Sequence, residues 1–285
     1  MIIDAHQHFW DPGRGDYGWL APDNPIHRTF ATADLRPLLT ETGVDATILV
    51  QAAPTPAETD YMLGIARDTP WVLGVVGWVD LEAPDAADAV RRRAGDSLFL
   101  GVRPMLQDLP DPDWILQPEL TPALNAIAAE GLVFDALILP HQIAAITELA
   151  ERHPQLSIVL DHAAKPRLGD ADAMASWARA MEGLAARPNM TCKLSGLLTE
   201  VRPGSGPDDV ARAIAILFDL FGPQRLIWGS DWPVLTLAGG YQDWFELARE
   251  AVAAKESSAV RAVMGGNALR IYRPDNSRLG RHNRA

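Results

Sequence analysis

The sequence predicts a single-domain (β/α)8 barrel of the TIM type, and three observations carry that expectation. Short apolar runs rich in Val, Ile and Leu alternate with longer Ala-, Leu- and Glu-rich stretches, eight times over in 285 residues. The runs are apolar on both faces, as strands of a parallel sheet covered by helices must be. No G-x-G-x-x-G follows the first run, so an open dinucleotide-binding sheet has no support and no nucleotide cofactor is expected.

The first strand, Ile2 to His8, delivers two imidazoles to its own end. Because strand side chains alternate, Asp4, His6 and His8 are expected on one face and Ile3, Ala5 and Gln7 on the other. A loop from Asp11 to Thr32 precedes a helix at Leu35 to Thr42. Strand two, Ala46 to Gln51, leads to a helix at Ala57 to Asp68, and strand three, Val72 to Asp80, to one at Ala86 to Ala94. Strand four, Phe99 to Arg103, opens a second long loop, Met105 to Leu120, ahead of a helix at Pro122 to Glu130. Strands five (Leu132 to Asp135), six (Leu156 to His162) and seven (Met190 to Ser195) are followed by helices at Ile143 to Arg152, Met174 to Arg187 and Val210 to Phe221. Strand eight is Arg225 to Asp231, and Gly265-Gly266-Asn267 reads as a turn into the last helix. Both long loops carry Trp, Pro and Asp rather than Ser/Gly filler and read as the roof of a site. The barrel is bounded at residues 1 to 274, and the polar tail 275 to 285 reads as disordered.

Composition narrows the class of partner. A chain with 48% apolar and 22% charged residues can bury one large core. One cysteine excludes an internal disulfide framework and a Cys-based zinc cluster. A net charge of −12 argues against nucleic-acid and anionic-membrane surfaces, leaving small molecules as the expected partners of a monomer or homodimer. No basic, apolar leader precedes the first strand and no eighteen-residue apolar run occurs, so a cytoplasmic location is expected.

In such barrels the chemistry sits at the C-terminal strand ends. Here the strands stop on His6 and His8, Gln51, Asp80, Arg103, Asp135, Asp161-His162, Lys193 and Ser195, and Ser230-Asp231. Contact with solvent explains one or two polar ends, but not a ring dominated by His, Asp, Arg and Lys. Only three of the 25 cationic residues are lysines, yet Lys165 and Lys193 both lie at or just past a strand end.

These residues carry a resemblance. The chain resembles the amidohydrolase superfamily, and within it the sugar lactone hydrolases similar to L-fuconolactonase and L-rhamnonolactonase. The stretches are Asp4-Ala5-His6-Gln7-His8, Gly101-Val102-Arg103-Pro104, Asp161-His162-Ala163-Ala164-Lys165-Pro166, Lys193-Leu194-Ser195-Gly196, Trp228-Gly229-Ser230-Asp231-Trp232-Pro233, and Asn267-Ala268 with Tyr272. The resemblance implies that His6, His8, His162 and Asp231 surround the reacting centre, that Arg103 and Lys193 bind substrate, and that His141 lines the pocket. Strand five offers Asp135 where binuclear relatives place a bridging lysine, and strand seven offers Lys193 where many mononuclear ones place a histidine. At most one divalent metal, zinc, is therefore implied, held by His6, His8, His162 and Asp231, and dispensable in some lactonases of this branch. A mononuclear zinc-dependent decarboxylase or amidase is the alternative, because the same framework serves it.

The chemistry follows from the residue types. Lactone hydrolysis needs a base for water, positive charge for the carbonyl oxygen, and a proton for the departing alkoxide. Asp231 is the expected base. Its ordinary pKa of about 3.9 would have to be raised by the desolvating rings of Trp228 and Trp232, or a metal would have to acidify the water. The histidines would hold the carbonyl oxygen directly or through zinc. Ser195 and Ser230 lie outside any G-x-S-x-G and read as turn residues, while Cys192, by strand parity, reads as core. Nine tryptophans, with Trp10, Trp78, Trp114 and Trp232 at or beyond strand ends, suit the C–H face of a sugar. Gln51 and Asp80 would add hydroxyl partners, making a pocket for a neutral polyhydroxylated lactone.

Overall fold

Eight parallel strands form one sheet in chain order: β1 Ile3–Gln7, β2 Ala46–Val50, β3 Val72–Gly77, β4 Phe99–Val102, β5 Val133–Ala136, β6 Ser157–Leu160, β7 Met190–Leu194 and β8 Leu226–Trp228. The computed structural model describes residues 1–275; most of the tail expected to be disordered lies outside the described residues. The sheet closes into a barrel just beyond β8, where Asp231 N donates to His6 O and His8 N donates to Trp232 O, each at 2.7 Å. All eight expected strands are present. Several stop short of their expected polar ends, as β3 does at Gly77 and β8 at Trp228, because those polar residues leave the ladder to build loops and the site.

The helices are α1 Thr32–Thr42, α2 Pro56–Asp68, α3 Ala86–Ala94, α4 Thr121–Ala129, α5 Ile143–Arg152, α6 Ala171–Ala185, α7 Pro207–Phe221, α8 Tyr241–Lys255 and α9 Asn267–Tyr272. Their starts and faces follow local chemistry. In α2 the Thr55 side chain caps the Glu58 N–H and Pro56 takes the first turn, where its missing donor costs nothing. In α7, Val210, Ala213, Ile214, Leu217, Phe218 and Phe221 recur at three- and four-residue spacing, so one stripe is buried against the sheet. No described helix is long and apolar enough to cross a membrane.

The barrel interior is a separate apolar cluster in which Ile3, Ala5, Ile48, Val50 and Ile227 meet Ala268 and Tyr272 of α9. Asn267 anchors α9 beneath the barrel by donating to the carbonyls of Pro223 and Leu226 at the start of β8. Here the simple alternation expected of β1 fails. Its register shifts between Asp4 and Gln7, so Ile3 and Ala5 share the interior with His6, while Asp4 turns out to bond Tyr241 of α8. Cys192 packs in the strand–helix layer, where burial pushes its thiol pKa up.

Candidate active site

The shifted end of β1 places His6 and His8 at the mouth of the barrel, and Asp4 locks that strand to the turn carrying Asp231. Asp4 Oδ1 accepts from Ser230 N at 2.8 Å and His6 N at 3.2 Å, while Oδ2 accepts from Tyr241 Oη at 2.9 Å. Gly229 passes so close to β1 that a Cβ on it would lie 2.6 Å from that of His6.

Asp231 itself has φ 61°, and His162, Ala163, Ala164 and Lys165 form a left-handed turn with φ between 51° and 56°. Non-glycine residues avoid this region at a cost of roughly 1–2 kcal/mol each, so such a run persists only where its surroundings hold it. Trp177 Nε1 donates to Ala163 O at 2.8 Å, and Lys165 N donates to His162 O at 2.8 Å. Gly196, at φ 61°, closes over the His162 ring: a Cβ there would lie 2.5 Å from Nδ1. The turn brings both His162 and Lys165 to the pocket wall.

Each imidazole is braced at Nδ1, which leaves Nε2 turned towards Asp231; Arg103 Nη1 also approaches His6 Nε2 at 3.5 Å. His8 Nδ1 lies 2.8 Å from Val50 O, His162 Nδ1 lies 2.9 Å from Ser195 Oγ, and His6 Nδ1 is flanked by Lys193 Nζ at 3.2 Å and Asp161 Oδ1 at 3.4 Å. The Nε2 atoms converge. Those of His6 and His8 are 3.2 Å apart, and Asp231 Oδ1 is 3.2 Å from His8 Nε2, 3.6 Å from His6 Nε2 and 3.8 Å from His162 Nε2. Burial drives the His6 pKa well below its ordinary value and that of His162 down to about 4, so both rings are neutral at pH 7 and present lone pairs.

Among the described residues, two overlapping sets have donor atoms close enough for one metal ion: His6, His8 and Asp231, and His6, Asp161 and His162. A tetrahedral zinc with bonds of about 2.1 Å spaces its ligands about 3.4 Å apart, close to the separations of 3.2 to 3.6 Å among His6 Nε2, His8 Nε2 and Asp231 Oδ1. The bracing of each Nδ1 also matches the outer hydrogen bonds that orient metal-ligating histidines.

Burial would raise the Asp231 carboxyl, but the imidazoles of His162, His8 and His6 outweigh it and hold it well below the carboxylate range. This reverses the expected upward shift. The rings expected to desolvate Asp231 turn away from it: Trp228 packs on Tyr241 and Phe245, and Trp232 on Phe9 and Phe30.

Beneath His6 lies a buried ionic network. Lys193 is 0% exposed and sits 2.5 Å from Asp135 and 3.0 Å from Asp161; Tyr272 donates to Asp135, and Arg103 reaches Asp161 at 3.3 Å. Burial and the neighbouring Asp161 push the Asp135 pKa up to about 6, whereas the cations Lys193 and Arg103, with His6, overcome burial and hold Asp161 well below its ordinary value.

The pocket above has a volume of about 240 Å³ and is walled by His8, Trp10, Arg103, His162, Lys165 and Asp231. Trp19 from the first long loop and Met105, Gln107 and Asp108 from the second cover it. Of the residues expected at the site, His6, His8, His162, Asp231, Arg103 and Trp10 come together. Lys193 does not reach the pocket. Gln51 is buried beside it, its Nε2 donating to Arg103 O; Asp80 lines a neighbouring cavity; His141 is exposed and lines neither; Trp232 faces the aromatic cluster. The pocket lysine is Lys165, which a left-handed turn without glycine made hard to place from sequence. Asp161 was visible as a strand end, but its role in joining Lys193, Arg103 and His6 depends on three distant strands.

The amidohydrolase family profile matches residues 3–273. An L-fucono-1,5-lactonase of Burkholderia ambifaria is 45% identical over 280 residues, covering 96% of each chain. A second L-fucono-1,5-lactonase, from Burkholderia multivorans, is 37% identical and spans 95% of this chain and 96% of its own. The crystal structure of an amidohydrolase from Burkholderia multivorans with bound zinc superposes with a TM-score of 0.90 at 35% identity, covering 96% of this chain and 99% of that one. With its eight-stranded barrel and its converging histidines and aspartate, this chain belongs to the amidohydrolase family.

Proposed function

We propose that this protein hydrolyses a sugar-acid lactone of the L-fucono, L-galactono or L-rhamnono kind to the aldonic acid. The observation that carries the reading is the convergence of His6, His8 and Asp231, with His162 Nε2 at 3.8 Å from Asp231 Oδ1, at a pocket that also presents Arg103 and Lys165. Full-length similarity to two proteins named L-fucono-1,5-lactonase supports a lactone over the amide or carboxylate that the same framework serves elsewhere.

His6, His8, His162 and Asp231 would hold a zinc ion, which when bound supplies positive charge for the carbonyl oxygen and acidity for a water molecule. Asp231 accepts the proton of the attacking water as its oxygen bonds to the lactone carbonyl carbon. Held well below the carboxylate range, Asp231 is ionised at physiological pH and free to accept that proton, though as a weak base. As the ring C–O bond breaks, Asp231 returns the proton to the departing ring oxygen. Arg103, tied to Asp161 and to Gln51 O, keeps its guanidinium fixed at the pocket floor for the developing negative charge. Lys165, on the wall, is placed to meet the carboxylate of the opened acid.

The test is pH-indicator hydrolysis of fucono-, galactono-, rhamnono-, arabinono- and xylonolactones, with and without chelator. Turnover of at least one is expected. Loss on chelation with recovery on zinc would assign the metal, persistence would leave the chemistry to protein groups, and no turnover of any lactone would refute the reading.

A further inference from the structure

Beside the catalytic pocket lies a second cavity of about 560 Å³, and the two share Trp19, Met105 and Asp108 as a common wall. The catalytic pocket is smaller than the roughly 300–1,000 Å³ usual for small-molecule sites, whereas the annex falls inside that range. Its lining is of a different kind. Three indoles, Trp19, Trp78 and Trp114, meet the carboxylates of Asp16, Asp80, Glu82 and Asp108; Asp16 is paired with Arg14 at 2.7 Å, and among the described residues no lysine, arginine or histidine itself lines the cavity.

Two of the indoles are held by their ring N–H groups, and the third is carried on a pinned backbone. Trp19 donates from Nε1 to Ala52 O at 2.7 Å and stacks edge-on against Trp10 with centroids 5.4 Å apart, while its side chain keeps the residue 41% exposed. Trp114 donates from Nε1 to Glu82 Oε1 at 3.0 Å, and the Trp78 backbone is pinned at both N–H and C=O by Thr59 Oγ1. Asp80 turns one oxygen to the Glu82 N–H at 3.1 Å. A ligand entering here finds hydroxyl acceptors and the faces of Trp19 and Trp114 already oriented, which lowers the ordering cost of binding.

We infer that the annex is a saccharide subsite, so that the protein takes lactones carrying a glycosyl substituent: the lactone ring sits over Asp231 and a neutral pyranose lies against the indoles. Flat apolar rings suit the C–H face of a pyranose, carboxylates suit its hydroxyls, and the absence of cations disfavours phosphorylated or carboxylated groups. The inference rests on the lactonase reading for its catalytic half. Asp80 and Glu82 line the annex and not the catalytic pocket, Asp108 stands between the two, and Arg103 and Lys165 lie on the catalytic side, where the carboxylate product is expected.

The experiment compares the best-hydrolysed aldonolactone with its glycoside, in the wild type and in Trp114→Ala. The glycoside is expected to be preferred by about tenfold in kcat/KM, the scale of one well-formed aromatic contact. Trp114→Ala should remove that preference while the unsubstituted lactone changes less than about twofold. Equal or poorer use of the glycoside by the wild type, or equal losses on both substrates, would overturn the subsite. If neither lactone is turned over, the lactonase reading fails, and the annex is judged by tryptophan fluorescence on titration with methyl pyranosides. A change present in wild type and reduced in Trp114→Ala sustains it; no change, or a response to tetramethylammonium instead, overturns it.

Discussion

The two cavities that meet at Trp19 are built from opposite materials. The catalytic pocket takes its groups from strand ends: imidazoles, Asp231 and Arg103, all nearly buried, each held by further hydrogen bonds or ion pairs. The annex takes its groups from loops, and they are indoles and partly exposed carboxylates. Bond-breaking chemistry depends on atoms placed within tenths of an ångström, which a hydrogen-bonded barrel rim provides. Recognition of a sugar face tolerates looser placement, which loops can provide and vary.

The sharpest way to break this contrast is at its buried foundation. Lys193→Met leaves Asp135 and Asp161 without their shared cation, and losing one partner of a buried ion pair costs about 3–5 kcal/mol. A large fall in melting temperature is expected; an unchanged melting temperature with a raised KM would return Lys193 to substrate binding. Next comes the pocket itself. Asp231→Asn preserves shape but accepts no proton, so hydrolysis should fall by roughly a hundredfold or more, about 2.7 kcal/mol in barrier, with the fold intact. Near-normal turnover would remove Asp231 from the role of base.

Acid sharpens the contrast, because only the catalytic pocket buries neutral histidines. His162 titrates near 4 in the folded chain against an ordinary 6.5, so below pH 6.5 the unfolded chain binds the extra proton and stability falls as pH drops towards 4. Asp4, Asp135 and Glu58, raised by burial to about 6, 6 and 7, act with the opposite sign over much of that window. The effect should therefore be read in metal-free protein as the difference between wild type and His162→Gln. The wild type should lose ground by up to about 1.4 kcal/mol per pH unit between 6.5 and 4. A difference that stays flat with pH would mean that His162 is not held neutral. The smallest effect is expected outside both cavities. Cys192→Ala in the strand–helix layer should cost about 1 kcal/mol of stability and leave turnover unchanged; strong inactivation at an unaltered melting temperature would bring the thiol into the site.

The repeating architecture was legible from residue order because periodicity is a local property: each apolar run and each helical stripe can be recognised from its own few residues, as Ala46 to Gln51 and Val210 to Phe221 show. The positions of His6, His8, His162 and Asp231 at strand ends were legible for the same reason. Which way side chains face was not. One register shift in β1 put Ala5 and His6 on the same side of the strand, against simple alternation. A left-handed turn without a glycine carried Lys165 to the pocket wall, while Lys193 was captured below by two carboxylates from other strands. Asp80 and the indoles of Trp78 and Trp114 lay close enough to strand ends to read as one pocket with the histidines, yet the folded loops gather them into a cavity of their own. The direction of the Asp231 pKa shift depended on three imidazoles brought from β1 and the turn after β6 to one oxygen. Periodicity specifies the elements because it depends on neighbours in the chain; the balance of burial against charge at Asp231, and the choice between Lys165 and Lys193, depend on distances between residues far apart in sequence, which exist only once the barrel has closed.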